Sequence, residues 1–401
     1  LMLGESDPVS PAIPGNPFEV PPPGDPLYFG SDLSAVGDVN GDGLDDFAVG
    51  SFGFGAAGDN SVYLYFGTPN LAELVQPDVT IQGPADGTIT GAGTSRSGSG
   101  NFIDLGSSAP FDDLTVSVWD IAGGSNANLF IVLGRATAAW PSVLTIAAGS
   151  TQVVDNCAND VVTVLGENSP AGLPVVEFGL ATGMTTLNDD DWLDIIASTA
   201  YPGGTETSAQ FVFRGAFHAS CPTGYDLGAA DETLVNSSSG ASFFKPNLAV
   251  LPTELGGGGG VVARGLEYGV GLPGGDKVEV YRFEPSSGST VIYQVIGGTA
   301  PADESFGSSL AYVGNSDEDT TGGVDLAIGA PSAGAGPGRV YLALSAGTDP
   351  RLPSVAGLSL DLSGASADFG TFVAGGFDYN GDGYSDLAVA DLQNNAIYLF
   401  Y

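Results

Sequence analysis

Two nine-residue stretches carry side chains whose types and spacing could do chemistry. One reads Asp38-Val39-Asn40-Gly41-Asp42-Gly43-Leu44-Asp45-Asp46, the other Asp378-Tyr379-Asn380-Gly381-Asp382-Gly383-Tyr384-Ser385-Asp386. Both set oxygen-bearing side chains at positions 1, 3, 5 and 9, with glycine at 4 and 6. Three carboxylates and an amide carbonyl in that order form a cage for a hard cation, and calcium is the usual occupant. The expected ligands of the first loop are Asp38, Asn40, Asp42, Asp46 and the Leu44 carbonyl. Those of the last are Asp378, Asn380, Asp382, Asp386 and the Tyr384 carbonyl. Asp45, at position 8, is expected to face water. An Asx-rich turn capping a hairpin is the plainer alternative. Two copies with matched spacing, each followed by the same kind of strand, argue against it. An EF-hand would need Glu at position 12 and flanking helices; the twelfth residues are Val49 and Val389.

Two weaker copies bring the expected Ca2+ count from two to as many as four. Asn188, Asp190 and Asp194 hold positions 3, 5 and 9 of one, with the Trp192 carbonyl at 7, but Thr186 stands at position 1 and Asp191 replaces the turning glycine. In the other, Asn315, Asp317, Asp319 and Asp325 could serve if two extra residues bulge out. The cations read as structural, because each loop crowds carboxylates that repel one another without metal.

No catalytic residue is assigned and the chain is not expected to be an enzyme. His218 is the one histidine, so a Ser-His-Asp triad has one candidate base, and no G-x-S-x-G elbow occurs. The glycines at 256–260 lack a following Lys-Ser/Thr and a helix, so they are no phosphate loop. Acid pairs suited to glycoside cleavage abound by composition and discriminate nothing.

The 401 residues carry a formal net charge of −38, from 47 acidic and only 9 basic residues. Nucleic-acid binding needs clustered Lys or Arg to displace counterions; here two Lys and seven Arg are scattered. Anionic membranes and polyanionic polysaccharides are disfavoured by the same field, and divalent cations are favoured. No apolar run approaches the roughly 18 residues of a membrane span, so no membrane insertion is expected. Cys157 and Cys221 could form one disulfide in an oxidising compartment or be two buried thiols.

The elements that must position the loops are strands. With 62 Gly and 26 Pro punctuating short Val, Ile, Tyr and Phe runs, the chain reads as all-β. Aligned on Phe-Gly, a unit recurs. The first copy has Phe29-Gly30, the acidic loop, Asp46-Phe47-Ala48-Val49-Gly50-Ser51 and Ser61-Val62-Tyr63-Leu64-Tyr65-Phe66. The last has Phe369-Gly370, the loop, Asp386-Leu387-Ala388-Val389-Ala390 and Ala396-Ile397-Tyr398-Leu399-Phe400. Others open at Phe178-Gly179 and Phe306-Gly307, and two worn copies start near Phe102 and Phe244. The six starts, near 29, 102, 178, 244, 306 and 369, lie 73, 76, 66, 62 and 63 residues apart. About four short strands per unit at that period fit the blades of a β-propeller. A row of small β-sandwiches is the alternative.

The unit resembles the FG-GAP repeat, the blade of the integrin alpha-chain head and of secreted bacterial and archaeal proteins. Phe306-Gly307 and Gly329-Ala330-Pro331 carry the family's two namesake motifs. The resemblance implies a β-propeller with calcium between the first and second strands of a blade. It also implies an extracellular or cell-surface location. Six four-stranded blades are expected over residues 29–401 as one domain, or seven if a long interval hides another.

Only three strands fit after the last Phe-Gly, so the fourth must come from elsewhere. Phe18-Glu19-Val20, in the Pro-rich arm 1–28, is expected to close the ring, on its own chain or on a neighbour's. Function is expected to be binding or adhesion, with a protein or glycan ligand on a loop face; the long insertions 135–160 and 216–243 could carry specificity. The alternative is a homo-oligomer, a self-assembling subunit of a fibre or surface layer joined through the arm. A polysaccharide-active enzyme or a lectin comes third.

Overall fold

Short apolar runs bounded by glycine and acidic turns become strands throughout the computed structural model. It describes residues 18–20, 22–24, 29–51, 61–82, 88–92, 111–119, 127–132, 134–146, 161–165, 177–185, 194–200, 208–213, 225–226, 232–235, 248–251, 261–266, 277–284, 289–297, 305–314, 325–331, 336–344, 359–360, 362 and 364–401. Among them are six sheets, two short 3-10 turns and no α-helix. None of the described segments is a helix long and apolar enough to cross a membrane.

Sheet one holds Phe29–Gly37, Asp46–Ser51, Ser61–Tyr65 and Val79–Gln82, in that spatial order. Sheet two runs Thr88–Ala92, Leu114–Trp119, Ala127–Val132 and Val161–Leu165. Sheet three has Glu177–Thr185, Asp194–Ala200, Ser208–Phe213 and Glu232–Val235. Sheet four comprises Leu248–Leu251, Val261–Leu266, Lys277–Glu284 and Ser289–Gly297. Sheet five has Ser309–Tyr312, Leu326–Ala330, Arg339–Ala343 and Ser359–Leu360. Sheet six has Phe369–Phe377, Asp386–Asp391 and Ala396–Phe400, and its fourth strand is Phe18–Val20. That strand runs antiparallel to Ala396–Phe400, with Phe18 opposite Leu399 and Val20 opposite Ile397.

Neighbouring sheets pack through their first strands. Phe29–Gly37 touches Thr88–Ala92 on one side and Phe369–Phe377 on the other. Glu177–Thr185 touches sheet two and Leu248–Leu251, and Ser309–Tyr312 touches Leu248–Leu251 and Phe369–Phe377. The apolar cores therefore lie between sheets. Strand alternation explains how one strand serves two cores. Phe47 and Val49 face sheet six, among Phe377, Tyr379, Ile397 and Leu399, with Val20 of the arm. Ala48, between them, faces Val116 and Val132 of sheet two. Leu387 and Val389 pack towards sheet five, while Ala388 and Ala390 pack towards sheet one.

The Phe-Gly pairs sit at these seams. Phe29, Phe306 and Phe369 are buried, each contributing about 1.5–3 kcal/mol of apolar burial. The glycine after Phe369 adopts φ +84°, and a Cβ there would lie 2.4 Å from the Arg339 carbonyl oxygen. Its own carbonyl accepts a hydrogen bond from the Ser309 hydroxyl at 2.9 Å. Backbone of sheet six thus rests directly on backbone of sheet five.

Two expectations change. The spacing set the second unit near Phe102, which lies outside the described residues; the first strand of sheet two is Thr88–Ala92. That strand carries no Phe-Gly, so alignment on the motif overshot it. Like the first strands of sheets one, three and six, it is bulged, here between Ile89 and Gly91. The insertions 135–160 and 216–243, which could carry specificity, are not loops alone: Val143–Thr145 adds to sheet one as a fifth, parallel strand beside Val79–Gln82. Tyr225–Asp226 does the same to sheet two beside Val161–Leu165. Each strap reaches back from the next sheet in sequence. The first is pinned by Trp140, whose Nε1–H donates to the Arg135 carbonyl at 2.8 Å and whose ring meets Phe66 edge-on at 6.0 Å.

Candidate metal centre

Both strong acidic loops lie between the first and second strands of their sheets, sheet one and sheet six. Backbone amides shape each loop around its first aspartate. Asp38 Oδ1 accepts from Gly41 N–H at 2.7 Å and Asp42 N–H at 3.1 Å, and Oδ2 accepts from Gly43 N–H at 2.9 Å. Asp378 does the same with Gly381, Asp382 and Gly383 at 2.7, 3.0 and 2.8 Å. Asn40 and Asn380 each accept from the N–H two residues on, at 2.8 and 2.9 Å, and Asp42 and Asp382 take the N–H of Leu44 and Tyr384, both at 2.9 Å. The two loops are the same object twice.

Glycine at position 4 answers to a neighbour as well as to the turn. Gly41 and Gly381 have φ near +75° and +74°. A Cβ at Gly381 would lie 2.6 Å from Leu44 Cδ2, and one at Gly41 would lie 2.3 Å from the Phe111 ring. In both cases the residue pressed against the glycine belongs to the next sheet.

The position-9 aspartates open the second strands and are fully buried. Asp46 Oδ2 accepts from Val39 N–H at 2.9 Å and Oδ1 from Gly67 N–H at 2.8 Å. Asp386 Oδ2 accepts from Tyr379 N–H at 2.8 Å, but its Oδ1 is buried with no hydrogen-bond partner. Burial pushes the Asp386 carboxyl up to about 8, and the neighbouring charges of Asp382 and Asp378 add to the rise against the pull of backbone N–H groups. Burial likewise holds Asp46 well above the usual carboxylate range, opposed by its hydrogen bonds from Gly67 and Val39.

Among the described residues, no group of three or more His, Cys, Asp or Glu side chains is drawn together to hold a metal ion as it stands. The loop oxygens turn instead onto their own backbone. The fit to a cation lies in the donor set, all hard oxygens at the right spacing, and in the orphaned, desolvated Asp386 oxygen. Such an oxygen costs free energy that a cation would offset.

Asp194 opens the second strand of sheet three, and Asp325, fully buried, directly precedes the second strand of sheet five. Asp325 exchanges backbone hydrogen bonds with Gly314 and Val313, at 2.9 and 3.0 Å. The other candidate ligands of those copies, Asn188, Asp190, Trp192, Asn315, Asp317 and Asp319, lie outside the described residues. So do His218, Cys157 and Cys221.

Asp45 corrects an expectation. It does not simply face water: its carboxylate accepts the N–H of Asp378, in the loop of sheet six, at 3.1 Å. Position 8 is a cross-seam position, because the strand that follows points the preceding side chain at the adjoining sheet. Asp112 plays the same part in sheet two, taking the N–H of Asp38 at 2.9 Å. Sequence reasoning also passed over Asp113, which repeats Asp46 in a sheet without a calcium pattern. It is buried and accepts from Gly134 N–H at 2.9 Å, as Asp46 accepts from Gly67. The paired Asp-Asp before an apolar strand, 45–46 and 112–113, was the available signal.

The FG-GAP repeat model matches residues 369–400. Those residues run from the Phe-Gly pair of sheet six through its acidic loop to the end of strand Ala396–Phe400. The FG-GAP match thus contains one whole candidate loop with both strands that flank it. No curated protein matches the sequence. Among solved structures, a mutant of the Aleuria aurantia lectin AAL in complex with Fucalpha1-6GlcNAc is similar over 76% of this chain and 71% of that one. The identity is 11% and the TM-score 0.36.

Proposed function

We propose that this chain is a calcium-stabilised, six-bladed propeller of FG-GAP type that acts outside the cell as a binding module and not as an enzyme. The observation that carries the ring is the likeness of two seams. Sheet two meets the loop of sheet one through three hydrogen bonds: Asp112 N–H to Asp38 O, Asp38 N–H to the Asp112 carboxylate, and Arg135 N–H to Val39 O, each 2.9 Å. Sheet one meets the loop of sheet six through the same three. Asp45 N–H donates to Asp378 O at 3.3 Å, Asp378 N–H to Asp45 at 3.1 Å, and Thr68 N–H to Tyr379 O at 2.9 Å. The junction of the two chain ends is thus built like a junction inside the chain. A ring of blades with no open edge requires that.

Calcium would be held by Asp38, Asn40, Asp42, Asp46 and the Leu44 carbonyl, and by Asp378, Asn380, Asp382, Asp386 and the Tyr384 carbonyl. When bound it supplies positive charge to carboxylates that otherwise repel one another. Modest affinity suffices outside a cell, where such modules bind calcium at about 10⁻⁴–10⁻³ M. The lone histidine and the absence of a nucleophile motif favour binding over catalysis. Pairing of Phe18–Val20 with its own sheet six favours a self-contained module over strand donation to a neighbour.

The test is a screen of the calcium-loaded full chain on immobilised glycans and surface proteins, with and without chelator. Calcium-dependent capture of one ligand class supports the reading. Cleavage of a polysaccharide would move it to an enzyme, and filaments without any ligand would move it to a structural subunit.

A further inference from the structure

The loops at 38–46 and 378–386 are joined to each other through residues that hold ligands on both sides. Asp45 is chain neighbour to Asp46, a candidate ligand of the first loop, and it takes the N–H of Asp378, a candidate ligand of the last, at 3.1 Å. Its own N–H donates to Asp378 O at 3.3 Å. A second link runs in parallel. Gly67 N–H donates to Asp46 Oδ1 at 2.8 Å, and the next residue, Thr68, donates its N–H to Tyr379 O at 2.9 Å. Leu44, whose carbonyl is a candidate ligand in the first loop, presses its side chain on Gly381 of the last. Asp46 and its donor Gly67 are thus each one residue from a group that fixes the loop of sheet six, Asp45 and Thr68.

We propose, resting on the calcium reading above, that the two loops bind calcium as a coupled pair and that Asp45 is the positioning residue that carries the coupling. A cation that draws in Asp46 fixes residues 44–46 and 67. Those residues fix the amide and carbonyl of Asp378 and the carbonyl of Tyr379, and so the direction in which the Asp378 carboxylate leaves the backbone. Linkage makes the effect reciprocal. The seam between sheets one and two lacks this property. Asp112 and Asp113 repeat the hydrogen bonds, but no acidic loop of the 1, 3, 5, 9 pattern precedes them. The coupling therefore needs an acidic loop on both sides of a seam, as the seam of sheets six and one has.

Terbium luminescence excited through tyrosine, taken as the part that Tyr384→Phe removes, reads the last loop, whose position 7 is Tyr384 where the first loop has Leu44. The full chain is used in a Trp192→Phe background, so that the third loop adds no signal. Asp42→Ala, which strips a ligand from the first loop, is expected to weaken terbium at the last loop by at least about fivefold. Asp45→Ala is expected to weaken it similarly, and Asp42→Ala added to it then has no further effect. Asp45→Asn keeps an acceptor for the Asp378 N–H and is expected to keep most of the coupling. Should Asp42→Ala fail to fold, Asp42→Asn takes its place. Unchanged terbium affinity in a folded Asp42 variant that has lost its first-loop ion, counted by mass spectrometry, overturns the coupling. No bound terbium in the chain with both loops intact overturns the calcium reading itself, and the coupling with it.

Discussion

Asp45 accepts the backbone N–H of Asp378 at 3.1 Å across 333 residues of sequence. The bond ties the first sheet to the last at the point where the chain ends come together. Its twin, Asp112 on Asp38, ties consecutive sheets within the chain. The terminal seam is made to the internal pattern, which is the observation behind the proposed ring.

Removal of calcium is expected to lower the melting temperature by several degrees. At about 100 times its dissociation constant, one ion contributes roughly 2.7 kcal/mol. Calorimetry with and without chelator measures this, with metal content followed by mass spectrometry. An unchanged melt after confirmed metal loss contradicts it.

The metal-free protein is expected to lose stability as the pH rises. Burial holds the Asp386 carboxyl up to about 8 in the folded chain, against about 4 in an unfolded one. A group whose folded pKa is raised stabilises fully below its unfolded pKa and ceases to do so as the pH passes its folded pKa. Asp46 shifts in the same direction. Denaturant midpoints in chelator should therefore fall from about pH 4 to about pH 8. With calcium the fall should shrink or reverse, because the cation takes the place of the proton. A midpoint flat with pH in chelator counts against a buried, unpartnered Asp386.

Deletion of residues 1–20 is expected to destabilise the chain and make it self-associate. The strand Phe18–Val20 covers Ile397 and Leu399, and its loss leaves an apolar edge strand open to pairing. Light scattering of the full chain should give a monomer, and of the deleted chain a mixture of larger species. Large assemblies of the full chain that vanish on deletion would instead make the arm an assembly strand.

Gly370→Ala is expected to cost more than about 1 kcal/mol, since alanine is strained at positive φ and its Cβ would lie 2.4 Å from the Arg339 carbonyl. Thermal melts compare it with Gly336→Ala, where a Cβ meets nothing within 4 Å. Equal melting temperatures would mean that sheets five and six do not rest on each other there.

Much of this was legible because the signals are local and repeated. Phe-Gly, the acidic loop and the apolar run after it sit within about 25 residues, and each has one backbone solution. The fourth strand of sheet six could be read from a missing part: only three strands fit after Phe369-Gly370, and Phe18-Glu19-Val20 was the candidate before Phe29. The outer strands were not legible. Val143–Thr145 and Tyr225–Asp226 are three and two residues long, too short to show a period. Their pairing is decided by where the strap lands. The role of Asp45 was hidden for a similar reason, since its partner is distant in sequence and is a backbone N–H, which leaves no mark on residue type. Thr88–Ala92 was missed because its sheet contacts need a bulge at a lone glycine and not the Phe-Gly pair.

The central claim is that the acidic loops hold calcium and thereby clamp sheet six to sheet one. Amide hydrogen exchange on the full chain, with calcium and with chelator, tests it most directly. Calcium should slow exchange first at the N–H groups of Asp45, Thr68 and Asp378 and in loop 378–386, ahead of sheets three and four. Exchange that calcium leaves unchanged at this seam, or slows equally in every sheet, contradicts the account.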